Sequence, residues 1–318
     1  MTFFIRRTVA AAAALTAALA LTACSIALLH ARSHDEGLPV GHEKRTYILH
    51  VPAAYHRDSP VPLVILLHGH GSRAETFERL TGMSDMADQK GFIVAYPQAL
   101  GSPSVWHSGV DGSARIDDVA FIRTLIQTLR EKYNIDPDRI YVGGHSNGAF
   151  MAYRVGAALS ATVAAVGISA GSIGRVTSRG DTVRIQTPDN PVSVVAFHGL
   201  ADNSVPYFGG KEADGPSRII TVPNSMRLWV TADHCGTTPD TTILDRGNVT
   251  REEYHDCLAG TSVVLYTIAN GTHRWAGDEA PWWEFWHDDR GTLSATDSMW
   301  AFFAAHPRAR IAPLQLTH

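Results

Sequence analysis

Three residues far apart in this 318-residue chain have the types and settings that nucleophilic acyl chemistry requires: Ser146, Asp202 and His273. Ser146 stands in Gly144-His145-Ser146-Asn147-Gly148, between the strand-like run Arg139–Gly143 and the helix-like run Ala149–Gly156. Glycines on both sides permit a sharp turn that lifts the hydroxyl above the sheet end and over the positive end of the following helix. A serine hydroxyl is a weak nucleophile without a base, and the base needs an orienting acid. Asp202 lies in the polar segment after the apolar run Val192–His198. His273 lies in the segment after Ser262–Ile268. In open α/β sheets functional groups gather beyond the carboxyl ends of strands, which is where all three residues fall.

Acyl transfer also needs donors for the oxyanion of the tetrahedral intermediate. The backbone N–H groups of Asn147, after the nucleophile, and of His70, in the His68-Gly69-His70-Gly71 segment after an earlier strand, are the candidates. His68 and His70 have no nearby carboxylate or cysteine, so no metal is expected there, and nothing implies an organic cofactor. His198 is expected to pack beside the acid loop, and His234, His255 and His287 lie away from a strand end.

The elements that must hold these groups follow from periodicity. Arg45–Val51 alternates, as an outer strand does, whereas Pro62–His68 and Gly91–Pro97 are continuous apolar runs suited to strands buried on both faces. Val119, Ile122, Leu125, Ile126 and Leu129 recur at helical spacing within 117–132, with Asp117 or Asp118 as cap. Val163–Ser169, Val192–His198 and Ser262–Ile268 read as further strands, and 224–232 and 296–305 as helices. This alternation predicts an α/β fold: one domain with a mostly parallel central sheet flanked by helices, over 41–318.

Composition is that of an ordinary globular protein, 45% hydrophobic and 18% charged, with net charge −4. The first 23 residues hold two arginines and no acid, which leaves the remainder at −6 and argues against nucleic acid as a partner. Residues 1–23 read as a signal peptide: Arg6-Arg7, then an Ala/Leu-rich stretch too short for a comfortable membrane span. Leu21-Thr22-Ala23-Cys24 is similar to a bacterial lipobox, which makes Cys24 a lipidation site and 24–40 a tether. An ordinary signal peptide with an incidental cysteine is the other reading, and the sequence does not separate Sec from Tat export. Either way the protein is expected outside the cytoplasm, as a cell-envelope lipoprotein anchored to a membrane or as a secreted protein. In that setting Cys235 and Cys257 have one possible pairing, a disulfide, against the alternative of two buried thiols.

Taken together, Leu67–Gly71, Asp117–Phe121, Gly144–Ala149 with Met151–Arg154, His198–Asp202 and His273–Trp275 resemble the poly(3-hydroxybutyrate) depolymerase and feruloyl esterase family, including LpqC-type lipoproteins. The resemblance runs from about Arg45 onward. It implies an α/β-hydrolase fold, Ser146, Asp202 and His273 as triad, a family disulfide at Cys235–Cys257, and a structural role for Asp117-Asp118. Arg274 and Ala276 depart from the family pattern beside the histidine. The cysteines that many members carry near Trp106–Gly109 are absent, and no extra polymer-binding domain is evident, which disfavours crystalline polyester as substrate.

Trp106 is a pocket candidate by resemblance. Trp275, Trp282 and Trp283, with Phe285 and Trp286, follow the histidine closely. Either they form an aromatic wall for aryl or sugar groups, or they pack the last helix. The expectation is a serine carboxylesterase acting on small or oligomeric esters: feruloyl, acetyl-xylan or short hydroxyalkanoate. An acyltransferase using the same triad, or a non-catalytic surface lipoprotein on this scaffold, are the alternatives.

Overall fold

The computed structural model describes residues 33–110, 116–211, 217–277 and 293–308. Its first half runs β1 (Ser33–Val40), β2 (Glu43–His50), β3 (Val61–Leu67), α1 (Ala74–Thr81), α2 (Met83–Lys90), β4 (Ile93–Pro97), β5 (Leu100–Gly101), β6 (Ser104–Val105), α3 (Asp118–Lys132), β7 (Ile135–His145), α4 (Asn147–Ala158) and β8 (Ala165–Ser169). The second half adds β9 (Gly174–Val176), β10 (Thr182–Arg184), β11 (Ser193–Gly199), β12 (Gly210–Lys211), β13 (Arg218–Ile219), α5 (Val222–Ala232), β14 (Asp240–Leu244), β15 (Val249–Tyr254), β16 (Val263–Ile268) and α6 (Ala295–Ala305).

Ten strands form one sheet in the order β1-β2-β4-β3-β7-β8-β11-β16-β15-β14. From β4 to β16 every neighbouring pair is parallel, and antiparallel strands close both edges. The continuous apolar runs are the parallel centre, as expected for strands covered on both faces. In β3 the period of two is visible in the packing: Leu63, Ile65 and Leu67 enter the core under α3, α4 and α5, while Val64 and Leu66 enter the core under α1, α2 and α6.

The helix signals hold. The Asp117 side chain caps α3 by accepting from the Ala120 N–H at 3.0 Å, and Val119, Ile122, Leu125, Ile126 and Leu129 are all buried. Thr221 caps α5 through the Asn224 N–H at 3.1 Å, and Ser294 caps α6 through the Asp297 N–H at 3.1 Å. Cys235 and Cys257 form a disulfide that ties the end of α5 to the segment before β16.

One boundary needs correcting. Residues 33–40, expected as tether, are β1, paired antiparallel with β2 from Ser33 opposite His50 to Val40 opposite Glu43. The ordered body thus begins before residue 41. As an edge strand β1 buries only Leu38, so it lacks the apolar alternation that marks a strand in sequence. The signal segment and Cys24 lie outside the described residues.

Candidate active site

β7 ends at His145 and α4 begins at Asn147, so Ser146 alone makes the turn between them. Its φ of 54° and ψ of −121° lie where non-glycine residues are strained. The flanking glycines are required by contact. A Cβ on Gly144 would sit 2.3 Å from the Gly148 carbonyl oxygen, and one on Gly148 would sit 2.0 Å from the Leu67 oxygen. The turn is held from both sides: the Ser146 N–H donates to Ser169 O at 2.9 Å, and the Ser146 carbonyl accepts from the Ala149 and Phe150 amides.

The other two residues arrive on β11 and β16, which are parallel neighbours. His273 Nε2 lies 2.7 Å from Ser146 Oγ, and its Nδ1 lies 2.8 Å from Asp202 Oδ2. Asp202 is buried, and its Oδ1 accepts from the Ser204 and Val205 amides at 2.9 and 2.8 Å. Burial opposes the charged carboxylate, but the hydrogen bond and charge of His273, with the Val205 amide, outweigh it and hold its pKa below the usual range. His198 packs beside this loop as expected, its Nε2 donating to Val205 O at 2.7 Å, and burial lowers its pKa. His145 touches the His273 ring, with centroids 5.1 Å apart. Burial, reinforced by His273, lowers its pKa to about 3, so it stays neutral.

Ser146 and His273 open onto a cleft of about 520 Å³ that His70 and Asn147 also line. Asn147 is the first residue of α4, where an N–H has no intrahelical acceptor. The segment carrying His70 is anchored by His68. That ring is buried, with Nδ1 bonded to Gly69 O and Nε2 accepting from the Ala99 N–H at 3.1 Å; burial lowers its pKa. His68 is therefore a structural brace.

Two of the expected substrate contacts are corrected. Trp106 is fully buried: its Nε1 donates to His68 O at 2.9 Å, and its backbone is clasped by the Asn147 side chain, which accepts from the Trp106 N–H at 2.7 Å and donates to its carbonyl at 3.1 Å. It joins the two candidate oxyanion segments from behind. Trp275 is also interior, edge-on to Phe77, with Nε1 donating to Thr296 Oγ1 at 3.0 Å. In both cases the indole N–H finds its acceptor inside the protein, which draws the ring away from the cleft. Trp282 and Trp283 lie outside the described residues. Asp118 matches its structural expectation: it is buried, 2.7 Å from the Arg45 guanidinium, and accepts from the His107 N–H at 2.8 Å.

Sequence reasoning missed Phe150 and Arg175, which line the cleft. Phe150 sits one helical turn after Ser146, a spacing that could have revealed it. Arg175 is on β9, a three-residue strand with no periodic signal.

The family model for Esterase PHB depolymerase matches residues 45–205. Feruloyl esterase B of Piromyces equi is 30% identical over 246 residues, 76% of this chain and 44% of that protein, so the chain spans less than half of that relative. Feruloyl esterase C of Emericella nidulans is 24% identical over 268 residues, covering 82% of this chain and 84% of that one. Among solved structures, an acetyl xylan esterase from Aspergillus awamori superposes with a TM-score of 0.59 at 13% identity, over 85% of this chain and 99% of the other. That likeness establishes the α/β-hydrolase fold. With the family match spanning β2 to the loop of Asp202, this chain belongs to the PHB depolymerase family of esterases.

Proposed function

We propose that this esterase cleaves carboxylic esters through an acyl-enzyme on Ser146. The observation that carries the reading is the unbroken hydrogen-bonded line from strained Ser146 through His273 to buried Asp202, at 2.7 and 2.8 Å. Ser146 Oγ attacks the ester carbonyl carbon while His273 Nε2 takes its proton. The carbonyl π electrons move to oxygen, and the amides of His70 and Asn147 hold that oxyanion. Collapse breaks the bond to the alcohol oxygen, which leaves with the proton from His273. Water then loses a proton to His273 and attacks the acyl carbon, and the acid departs as Ser146 recovers its proton. Asp202 keeps Nδ1 protonated and stabilises the transient imidazolium. His145, neutral against the same ring, adds no competing charge.

Feruloyl, acetyl-xylan-type and short hydroxyalkanoate esters are the proposed substrate range, supported by the names of the relatives. Residues 1–23 act as an export signal and Cys24 as a lipidated N-terminus; mass spectrometry of the mature N-terminus tests this. For the chemistry, initial rates on p-nitrophenyl acetate, butyrate and octanoate, methyl ferulate and soluble hydroxybutyrate oligomers are compared between wild type and Ser146→Ala. The variant should lose roughly 10⁴- to 10⁶-fold in kcat, and a fluorophosphonate should label wild type alone. Undiminished hydrolysis by the variant would overturn the mechanism.

A further inference from the structure

The two amides proposed to hold the oxyanion sit on different elements: His70 follows β3, and Asn147 opens α4. Two N–H groups stabilise one oxygen only when both lie about 2.7–3.1 Å from it, so the spacing between them has to be set by packing. Residues 104–106 form a strap across that gap. On the side of His70, the Ser104 carbonyl accepts from the Gly71 N–H at 2.8 Å, Ser104 Oγ donates to Ser72 O at 2.6 Å, and Trp106 Nε1 donates to His68 O at 2.9 Å. These bonds grip the chain both before and after His70. On the side of α4, one side chain makes two bonds: Asn147 Oδ1 accepts from the Trp106 N–H at 2.7 Å, and Asn147 Nδ2 donates to the Trp106 carbonyl at 3.1 Å. A donor and an acceptor on the same backbone residue match a primary amide and fix which way it points. The strap is anchored in turn, because the His107 N–H donates at 2.8 Å to Asp118, which is buried and lies 2.7 Å from the buried Arg45 guanidinium. Val105, between the two bonded residues, lines the cleft.

We infer that the Asn147 side chain is a positioning residue for ester cleavage: through the 104–106 strap it sets the spacing of the His70 and Asn147 amides. This rests on the Ser146 acyl-enzyme reading above and goes beyond it, by giving a role to a side chain that acts through Trp106. Residue 147 thus serves twice, its N–H as an oxyanion donor and its side chain as the tie that holds that donor in step with the other. The oxyanion forms in acylation and again in deacylation. Loosening the strap therefore slows both steps, which lowers kcat and leaves KM in place.

The test compares wild type with Asn147→Leu, which keeps the size of the side chain and removes both bonds, with Trp106→Phe, which removes the bond to His68 O, and with the double variant. On p-nitrophenyl acetate, Asn147→Leu should lose roughly 30- to 100-fold in kcat, as for a donor misplaced by about 1 Å, with KM held within about threefold. Trp106→Phe should lose about tenfold in the same way. Because both break one bridge, the double variant should fall well short of the product of the two losses. A pair of inhibitors separates positioning from general damage to the cleft. Trifluoromethyl pentyl ketone adds to Ser146: the Oγ–C bond forms, the carbonyl π electrons move to oxygen, and the serine proton passes to His273, so the adduct carries the oxyanion. Methyl pentyl ketone binds without forming it. The inhibition constant of the fluorinated ketone should rise in step with the loss of kcat while that of the methyl ketone holds. A folded Asn147→Leu with kcat within about threefold of wild type, a loss that appears in KM, equal weakening of both ketones, or losses that multiply in the double variant overturns the inference and leaves the esterase reading intact. If Asn147→Leu does not fold, Trp106→Phe decides the matter by the same kcat, KM and ketone readouts. Failure of wild type to hydrolyse p-nitrophenyl acetate overturns the esterase reading and this inference with it.

Discussion

Replacing Gly148 with alanine sets two physical effects against each other. Gly148 is the second residue of α4, and by helix propensity alone alanine should stabilise the protein by up to about 1 kcal/mol. The new methyl, however, would lie 2.0 Å from Leu67 O, 2.5 Å from Leu67 C and 2.5 Å from His68 O. All three are backbone atoms, so no rotamer change relieves the clash. Reaching ordinary contact at 3.4 Å needs a separation of about 1.4 Å between α4 and the end of β3. The end of β3 resists that movement, because Leu67 is in register with Gly144 and His68 O accepts from Trp106 Nε1. Overpacking of this kind costs about 1–3 kcal/mol or more, which outweighs the propensity gain. The expected result is a net loss of about 2 kcal/mol, or roughly 3–4 °C in Tm. Because the same displacement separates Ser146 from the segment of His70, kcat on p-nitrophenyl acetate should fall about 100-fold. Gly156→Ala is the control: its methyl would meet the Val166 side chain at 2.5 Å and the Trp229 ring at 3.5 Å, which have more freedom to yield. Thermal melts and initial rates on both variants decide the matter. A Gly148→Ala protein that melts at or above wild type with activity within threefold would refute the steric argument.

Asp202→Asn should keep the fold but present an amide to His273 Nδ1, favouring the wrong tautomer; kcat should drop about 10³- to 10⁴-fold, and a loss below tenfold in steady-state assays would contradict the assigned role. Asp233 is fully buried beside the disulfide, and burial, only partly offset by the Val192 N–H, raises its pKa from 3.8 to about 7. The folded state therefore holds a proton that the unfolded state has released, so wild-type stability should fall as pH rises from about 4 to 7 and stay lower above that. Asp233→Asn should remove a loss on the order of 4 kcal/mol, and urea titrations at pH 5 and pH 8 that show the same pH dependence in both proteins would disprove it. Alanine at both Trp282 and Trp283 should reduce kcat/KM on methyl ferulate about tenfold relative to p-nitrophenyl acetate; an unchanged ratio in a folded variant would assign those rings to packing.

The centre of the sheet and the candidate triad were legible in the chain because each carries a strong local signal. β3, β11 and β16 are dominated by apolar residues, and Ser146, Asp202 and His273 each follow such a run or the strand before the elbow. The margins were not legible. β1 buries only Leu38 and all five residues of β14 are exposed, so neither has a hydrophobic face to announce it. α1 and α2 have eight residues each, too short for the spacing of Ala74, Phe77 and Thr81, or of Met83 and Ala87, to stand out. The tryptophans misled for another reason. Residue type shows that an indole N–H wants an acceptor, but only the fold shows that His68 O and Thr296 Oγ1 supply it inside the protein. Arg175 reaches the cleft from a small accessory sheet whose pairing no local pattern encodes.

β16 lies between β11 and β15, and the segment after it brings the base to a serine 127 residues earlier in the chain. A polypeptide emerging from its N-terminus therefore presents the bent serine turn, the braced amides and the acid loop well before it presents an imidazole to activate them. On the mechanism proposed above, until β16 inserts beside β11 the emerging chain has a nucleophile without its base and should not attack esters it meets on the way. Onset of hydrolysis is thus a clock for the insertion of that strand, and a stopped-flow refolding trace read by ester turnover would time the final closure of the sheet, where a spectroscopic probe would average over all of it.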